Sequence, residues 1–379
     1  MFHALDELLH AAASARASDV HLTSGHPPLL RVDGDLQAVP GHPEALTAAF
    51  MESTVLGIMS ASQREDFIAH GEVDLSYTAE GLGRFRVNVF RQLGEMAAAL
   101  RFISTTVASL EQLGAPAICR DLALRPRGLV LVTGPTGSGK STTLTAMVDI
   151  INSTLPSHII TVEDPIEFQH SSKRSLVHQR EIGSDTASFA EALRRILRQD
   201  PDVILVGELR DQESIHTALS AAETGHLVLS TLHTQGAAKS INRIVDVFPS
   251  HQQDQIRTQL GDTLQGIISQ SLLPLAQSTG RTIATEVLVN TPAVANLIRE
   301  AQVAQLYTAM QAGSSLGMHT LDQDLRRLVE EGKVSQQVAR TYAVDPRNLD
   351  DVRVRPQDLD VDAWAMHAGE RQAAAGWGQ

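Results

Sequence analysis

The stretch from Gly128 to Ser141 reads Gly-Leu-Val-Leu-Val-Thr-Gly-Pro-Thr-Gly-Ser-Gly-Lys-Ser. Residues 128–133 form an apolar run of strand length, and residues 134–141 match the G-x-x-x-x-G-K-[ST] pattern of a phosphate-binding loop. A helix is predicted to begin at about Lys140. The glycines let backbone N–H groups turn toward phosphate oxygens, and the helix N-terminus adds partial positive charge. This stretch therefore predicts a P-loop nucleotide-binding domain built on a buried strand.

The side chains of this loop suit a nucleoside triphosphate with its metal ion. Lys140 supplies a positive charge for the β- and γ-phosphates, and the Ser141 hydroxyl is a candidate ligand of Mg²⁺. A chance glycine-rich turn is the alternative, and the position between a strand and a helix argues against it. We expect ATP and Mg²⁺ as cofactors. The predicted ATP-binding residues are Gly134, Pro135, Thr136, Gly137, Ser138, Gly139, Lys140, Ser141 and Thr142.

Further apolar runs predict the rest of the sheet. Buried strands are expected at 158–162, 203–206 and 227–232, with helices at 188–198 and 212–223. Strands that alternate with helices form mostly parallel sheets covered on both faces. In such sheets ligands bind at the carboxyl ends of the strands. The residues that follow each of these strands are therefore candidates for the site.

Acidic and histidine side chains follow the three strands. Glu163 follows the first, Glu208 the second and His233 the third. One carboxylate can orient or deprotonate the attacking water, and the other can hold a Mg²⁺-bound water; which of the two is the base stays open. Both are candidate metal ligands with Ser141, and His233 can hydrogen-bond the γ-phosphate. The structural alternatives are that Glu163 or Glu167 caps the next segment, that Glu208 is a surface acid and that His233 is structural.

The first ~105 residues have a different pattern. Strands are expected at 73–77, 84–89 and 96–103, and Asp33-Gly34 is a hairpin signal. Sequential strands with few helices predict an antiparallel sheet in an α+β domain. The predicted organisation is a domain at 1–105, a linker at 106–122, an ATPase core at 123–290, a helical subdomain at 291–345 and a mostly disordered tail at 346–379.

Composition excludes several classes of protein. The chain has 379 residues, one cysteine (Cys119) and a formal net charge of -13. A multi-cysteine zinc site is therefore excluded, and no apolar run approaches the ~18 residues of a membrane helix. Aromatic residues make up 4 % of the chain, which disfavours a nucleic-acid translocase with a basic, stacking channel. A small-molecule kinase is disfavoured because no acceptor pocket is evident. A cytoplasmic protein is expected.

Four stretches resemble the ATPases of type II secretion and type IV pili. Residues 197–211, which contain Gly207-Glu208-Leu209-Arg210-Asp211, resemble the family signature. Residues 161–167 resemble its Asp box, residues 231–234 its His box, and residues 17–22 the start of its N-terminal domain. The similarity runs over about 1–345 and is strongest to the branch that retracts pili.

The resemblance implies an α/β protein with a PAS-like N-terminal domain and a RecA-like C-terminal domain, assembled as a ring homohexamer. ATP would bind between the domains, and Arg84, Arg86 and Arg91 match the arginines that reach the phosphates. The alternative for these three is a solvated basic strand face. Arg210 is a further catalytic candidate, and it could instead pair with an acid of its own domain.

The resemblance also implies a function. The chain is expected to be an ATPase motor for pilus retraction and twitching motility, peripheral at the inner face of the bacterial cytoplasmic membrane and docked on an inner-membrane platform protein. The pilus assembly or type II secretion ATPase is the alternative, but those proteins usually carry a four-cysteine zinc site, which Cys119 alone cannot make. Ala295 stands where the helical motif of the retraction branch usually has arginine. A further alternative is therefore that this chain is an accessory paralogue of the retraction ATPase. A second, paralogous retraction ATPase is a possible partner.

Overall fold

The computed structural model describes residues 3–32, 35–103, 106–277 and 280–353. These residues form two compact units. The first lies within Met1–Val107, Val162–Ser171 and Gln179–Ser188. The second lies within Ala108–Thr161, Ser172–His178 and Phe189–Gln379. Two short segments that the sequence analysis placed in the ATPase core therefore pack with the N-terminal residues.

The first unit is built on an antiparallel sheet of six strands in the order β3-β2-β1-β6-β5-β4. Alternation explains its packing, because Phe85, Val87 and Val89 of one strand are buried while the residues between them face away from that core. This confirms the predicted antiparallel sheet; the hairpin signal Asp33-Gly34 lies outside the described residues. The strands are β1 Asp19–Thr23, β2 Leu29–Val32, β3 Asp35–Ala38, β4 Glu72–Ala79, β5 Gly83–Gln92 and β6 Glu95–Phe102. The helices are α1 His3–Ser14, α2 Ala48–Gly57 and α3 Ala61–His70.

The second unit is built around a seven-stranded sheet in the order β13-β12-β7-β11-β10-β8-β9. Its central strands are mostly apolar and every residue in them is buried, as parallel strands covered on both faces require. The last pair, β12 and β13, is antiparallel, and the sequence analysis did not find it. The strands are β7 Gly128–Thr133, β8 His158–Glu163, β9 Leu176–Glu181, β10 Val203–Val206, β11 Leu227–Leu232, β12 Leu264–Pro274 and β13 Arg281–Val289.

One helix precedes these strands, and others connect them or follow the last one. The segment predicted as a linker contains the start of the first of them, in which Cys119 and Leu122 are buried. The helices are α4 Ile118–Ala123, α5 Lys140–Thr154, α6 Phe189–Ile196, α7 Gln212–Glu223, α8 Ala237–Asp246, α9 Ser250–Thr263, α10 Pro292–Arg299, α11 Leu306–Ala312, α12 Leu321–Glu330 and α13 Gln336–Tyr342. Within the described residues, none of the helices combines the length and the apolar character needed to cross a membrane.

The segment after residue 345 differs from the predicted tail at its start. Pro346–Leu349 forms a 3-10 helix, and Leu349 and Val352 are buried against α12 and its neighbours. The buried carboxylate of Asp322 accepts the backbone N–H groups of Val344 (2.7 Å) and Asp345 (3.0 Å), which fixes the turn into this helix. Residues 346–353 are therefore part of the fold, and residues 354–379 lie outside the described residues.

A polar cluster ties α12 to β13. The Asp324 carboxylate accepts both the backbone N–H (2.7 Å) and the hydroxyl (3.0 Å) of Thr285. The ring Nε2 of His319 lies 2.9 Å from the same hydroxyl. Burial lowers the pKa of His319 from its ordinary value of 6.5, and the nearby Asp324 carboxylate opposes that shift only in part.

Candidate functional site

The phosphate-binding loop lies where the sequence predicts it, between β7 and α5. Two of its glycines have conformations that a side chain would not tolerate. Gly134 has φ +143, and a Cβ there would lie 2.2 Å from the backbone oxygen of Gln270. Gly139 has φ +86 and begins α5 as its N-cap residue. The loop conformation therefore depends on glycine at both ends, which the motif requires.

Lys140 closes the loop from within. Its side chain is 7 % exposed, and Nζ donates to the carbonyls of Gly134 (2.9 Å) and Pro135 (3.0 Å). These contacts compensate the burial of the ammonium group and hold it over the loop backbone. The charge is thereby placed inside the ring of loop residues, close to the N-terminus of α5, where an anionic phosphate would be stabilised.

Three adjacent strands bring the other candidates of this unit to the same edge. The sheet order places β11 between β7 and β10, and all three run parallel. The P-loop follows β7, His233 follows β11, and Glu208 follows β10. The Thr231 hydroxyl donates to the carbonyl of Gly207 (2.6 Å), which ties the end of β11 to the turn that carries Glu208.

A chain of polar contacts connects these side chains. Arg210 Nε donates to Glu208 Oε2 (2.7 Å), and His233 Nε2 lies 3.2 Å from Glu208 Oε1. The other ring nitrogen, Nδ1 of His233, lies 3.4 Å from the Thr136 hydroxyl of the P-loop. Glu208 thus contacts Arg210 and His233 at once, and the histidine links it to the loop. Arg210 thus pairs with an acid of its own domain, as the alternative for this residue has it, and its catalytic role stays a prediction.

The turn that carries Glu208 is anchored at its far end. Asp211 is the N-cap of α7, and its carboxylate accepts the backbone N–H of Ser214 at 2.9 Å. A capping aspartate of this kind stabilises a helix start by about 1 kcal/mol. The short turn between β10 and α7 is therefore fixed at both ends, which limits the motion of Glu208.

Glu163 and Glu167 belong to the first unit. The Glu163 carboxylate accepts the side-chain amide of Gln179 (Nε2 to Oε1, 3.2 Å). The adjoining segment is held by Glu181, whose nearly buried carboxylate accepts the backbone N–H of Ile166 at 3.1 Å. The Ser76 hydroxyl donates to the same carboxylate at 2.7 Å. Glu163 therefore lies on a segment anchored to β4, and its role at the nucleotide stays a prediction.

The three candidate arginines each have a partner inside the first unit. Arg84 forms an ion pair with Glu181 (3.2 Å), and Arg86 lies 3.7 Å from Asp74. Arg91 stacks over a phenylalanine ring, 5.1 Å from its centroid, and donates to the Gly94 carbonyl (3.2 Å). Their expected contact with the phosphates stays a prediction.

Sequence reasoning missed three side chains that support the site. Gln270 on β12 contacts the P-loop, and Ser269 accepts the backbone N–H of Gly236 at 2.8 Å. Glu286 on β13 accepts the backbone N–H of Ala237 at 2.7 Å, at the start of α8. Burial raises the pKa of Glu286 above its ordinary value, and the Ala237 N–H opposes that shift. The polar residues Ser269-Gln270-Ser271, which interrupt the apolar residues of β12, are the sequence signal that marks such a position.

The donor set of the second unit fits a magnesium ion. The Ser141 hydroxyl follows the loop, and the Glu208 carboxylate follows the second strand over, so both are hard oxygen donors at one edge of the sheet. Among the described residues, no group of three or more His, Cys, Asp and Glu side chains gathers as a metal cage. Mg²⁺ beside a nucleotide takes few protein ligands and completes its shell with water and phosphate, so such a cage is not needed.

Comparison with known proteins places the chain. A family model described as type II/IV secretion system protein matches residues 1–349. The chain is 50 % identical over 345 residues to the type IV pilus retractation ATPase PilT of Pseudomonas aeruginosa, which covers 91 % of this chain and 99 % of that protein. It is 40 % identical over 344 residues to the type IV pilus ATPase PilU of the same organism, 91 % and 90 % of the two chains.

Solved structures agree. The crystal structure of the pilus retraction motor PilT with bound ADP matches with a TM-score of 0.84 and 46 % identity, over 90 % of this chain and 98 % of that one. The ATPase DotB of Legionella pneumophila matches with a TM-score of 0.72 and 28 % identity, over 90 % and 95 %. The described fold is thus a mixed α/β architecture that matches the two-domain ATPase PilT. On sequence and fold together, the chain belongs to the type II/IV secretion system protein family.

Proposed function

We propose that this protein hydrolyses ATP with Mg²⁺ and that the hydrolysis powers retraction of a type IV pilus. The contact chain Arg210–Glu208–His233–Thr136 carries the proposal, because in it a single histidine connects a carboxylate to the P-loop. A site of this composition suits phosphoryl transfer to water, in which positioning and charge stabilisation supply most of the rate. The similarity to PilT supplies the biological role.

The residues divide the work. Lys140 exchanges its two loop carbonyls for oxygens of the β- and γ-phosphates, which keeps its ammonium group satisfied. Ser141 and Glu208 would hold Mg²⁺, which would neutralise phosphate charge. Glu208 also orients or deprotonates the attacking water while Arg210 holds its other oxygen. His233 lies between Glu208 and Thr136, so it couples the position of the Glu208 carboxylate to the conformation of the P-loop.

The first unit contributes the remaining groups. Glu163 lies on the segment that Glu181 anchors to the N-terminal sheet, and Arg84 pairs with the same glutamate. We propose that Glu163, Arg84, Arg86 and Arg91 reach the nucleotide together when the site closes. An arginine supplied in this way is worth about 10³–10⁵ in rate in other phosphoryl-transfer enzymes.

The proposed assembly is a homohexameric ring, peripheral at the inner face of the cytoplasmic membrane, with an inner-membrane platform protein as its partner. The similarity to PilT over nearly the whole of both chains supports this organisation. Light scattering on the purified protein with ATP tests it: six copies are expected, and a monomer at high protein concentration contradicts the ring.

Retraction and assembly predict opposite phenotypes. The single cysteine excludes the four-cysteine zinc site usual in the assembly branch, which favours retraction. Deletion in the source organism is expected to give abundant pili that do not retract. Cells without pili would instead show that the protein drives assembly.

An accessory role beside a second retraction ATPase is the other candidate. Ala295 carries it, because it replaces the usual arginine of the helical motif and is a buried residue of α10, the helix that packs against α9. If the protein is accessory, its deletion leaves retraction in place and the Ala295→Arg variant does not change the phenotype. Loss of retraction on deletion of this gene alone contradicts the accessory role.

A further inference from the structure

The side chain of Gln270 is the most buried amide near the nucleotide site. It lies within β12 and is 2 % exposed. β12 pairs in parallel with β7, the strand that leads into the P-loop, and the neighbouring pair is Ser269 with Thr133. A buried amide is stable only when both its carbonyl and its NH₂ group have partners.

Both ends of the amide contact the loop and the helix that follows it. Gln270 Nε2 donates to the carbonyl of Ser138 at 2.7 Å, and the Thr143 hydroxyl donates to Gln270 Oε1 at 3.1 Å. Ser138 and Thr143 are themselves buried. The amide therefore bridges the last part of the P-loop and the first turn of α5.

The bond to Ser138 sets the direction of a neighbouring donor. In a planar trans peptide the carbonyl and the next N–H point in opposite directions. Because Gln270 holds the Ser138 carbonyl on the sheet side, the N–H of Gly139 points away from the sheet. Backbone N–H groups of this loop are the ones that bind phosphate oxygens in P-loop proteins.

The strand that carries Gln270 is fixed by its own neighbours. Gln270 pairs with Thr285 on β13, and Thr285 is held by the Asp324 carboxylate of α12. The adjacent pair is Ser269 with Glu286, and these two side chains accept the N–H groups that begin α8, just after His233. The β12–β13 hairpin thus supports both loops of the site.

We propose that Gln270 is a positioning residue of the nucleotide site, which fixes the phosphate-binding conformation of the P-loop by holding the Ser138 carbonyl and the Thr143 hydroxyl. The inference rests on nucleotide binding at the P-loop, as in the proposed function. It adds a residue outside the loop and the strand-end motifs, and it connects the loop to the C-terminal helices through the hairpin.

The test is ADP affinity of the full-length protein, measured with a fluorescent ADP analogue below the melting temperature. Gln270→Met keeps the volume and removes both polar contacts, so we expect affinity to fall by about ten-fold or more. Gln265→Met on the same strand is the matched control and keeps wild-type affinity. Affinity within about two-fold of wild type in folded Gln270→Met overturns the proposal, even if its melting temperature falls.

Thr143 separates positioning from general packing. Thr143→Ser keeps the hydroxyl and is expected to bind ADP as the wild type does, whereas Thr143→Val is weakened. If the two residues act together, the double variant Gln270→Met/Thr143→Val is no weaker than Gln270→Met alone. Single effects that multiply in the double variant contradict the shared role.

A second variant keeps the test decisive if Gln270→Met does not fold. Gln270→Glu has the same shape, but a carboxylate cannot donate to the Ser138 carbonyl, whereas the protonated acid can. Its ADP affinity is expected to recover toward wild type as the pH falls, and a pH profile parallel to wild type overturns the proposal. Protein that binds ADP but does not retract pili contradicts the proposed function alone and leaves the Gln270 result standing.

Discussion

Substitution of Glu208 by glutamine separates chemistry from stability at the candidate site. The carboxylate contacts Arg210 Nε at 2.7 Å and His233 Nε2 at 3.2 Å, and its own side chain is 16 % exposed. Arg210 is 66 % exposed, so solvent screens the pair and its loss costs only about 0–1 kcal/mol. For a unit of this size that corresponds to a fall in melting temperature of about 2–4 °C at most.

The effect on turnover is expected to be far larger. A group that removes or orients a proton in the transition state contributes about 10²–10⁴ in rate, which is about 3–5 kcal/mol. Glu208→Gln should therefore bind ATP with affinity near that of the wild type and hydrolyse it at least about 100-fold more slowly. Phosphate release and nucleotide titration on the same preparation measure the two quantities.

The matched control is Glu213→Gln, which makes the same change of charge on α7 at an acid paired with Arg194. It should leave both turnover and binding unchanged. Wild-type turnover in Glu208→Gln refutes the catalytic assignment, and loss of ATP binding in that variant shows that the residue acts through the structure of the loop.

Three further variants and one ion test the remaining contacts. Gly134→Ala places a Cβ 2.2 Å from the Gln270 backbone oxygen at φ +143, so it should abolish nucleotide binding, and normal binding would show that the loop relaxes freely. Glu181→Ala leaves the Arg84 charge and nearby donors without their acceptor. It should therefore lower the free energy of unfolding, measured in urea, by about 3 kcal/mol. A loss under about 1 kcal/mol would contradict a stabilising role for the buried Glu181 carboxylate. Since burial lowers the folded-state pKa of His319 below 6.5, the unfolded chain takes up that proton first, so stability falls as the pH falls through 6.5 toward the folded value. His319→Gln should lose this part of the slope as the pH falls below about 6.5, and an unchanged slope refutes it. Removal of Mg²⁺ with a chelator should stop turnover until Mg²⁺ is restored, and turnover that persists contradicts the metal assignment.

The central strands could be predicted because their burial makes them continuous apolar runs. The predicted bounds 203–206 and 227–232 are those of β10 and β11. The P-loop could also be predicted from the sequence, because its glycines are required by local backbone conformation, such as the φ of +143 at Gly134. The carboxyl-end rule then brought Glu208 and His233 to the loop without any knowledge of contacts.

The hairpin β12–β13 could not be found in this way. Polar residues interrupt its apolar pattern, among them Gln270 and Thr285, and each is satisfied by a partner far away in sequence. Only the folded sheet brings Gln270 to the loop. An apolar sequence pattern indicates side chains that are buried in apolar surroundings. It does not indicate a polar side chain that is buried because a distant residue forms a hydrogen bond with it.

The same limit explains Glu181 and the start of the tail. Glu181 is charged and yet 4 % exposed, because Arg84, Ser76 and the Ile166 N–H surround its carboxylate. The acidic, proline-containing stretch after residue 345 reads as disordered, but buried Asp322 accepts the backbone N–H groups of Val344 and Asp345 immediately before it, and Leu349 and Val352 within it are buried. Charge and proline content predicted a disordered tail from residue 346, and tertiary contacts order its first residues; at Glu181 tertiary partners likewise make burial of a charged side chain possible.

ATP turnover of the purified full-length protein with Mg²⁺, compared between wild type and Lys140→Ala, tests whether the P-loop is the site of hydrolysis. Lys140 is the buried charge of the loop, and its replacement should reduce turnover to background. Lys239→Ala, an exposed lysine of α8, should hydrolyse ATP as the wild type does. Turnover in Lys140→Ala equal to that of the wild type would contradict the assignment of the P-loop as the site of hydrolysis.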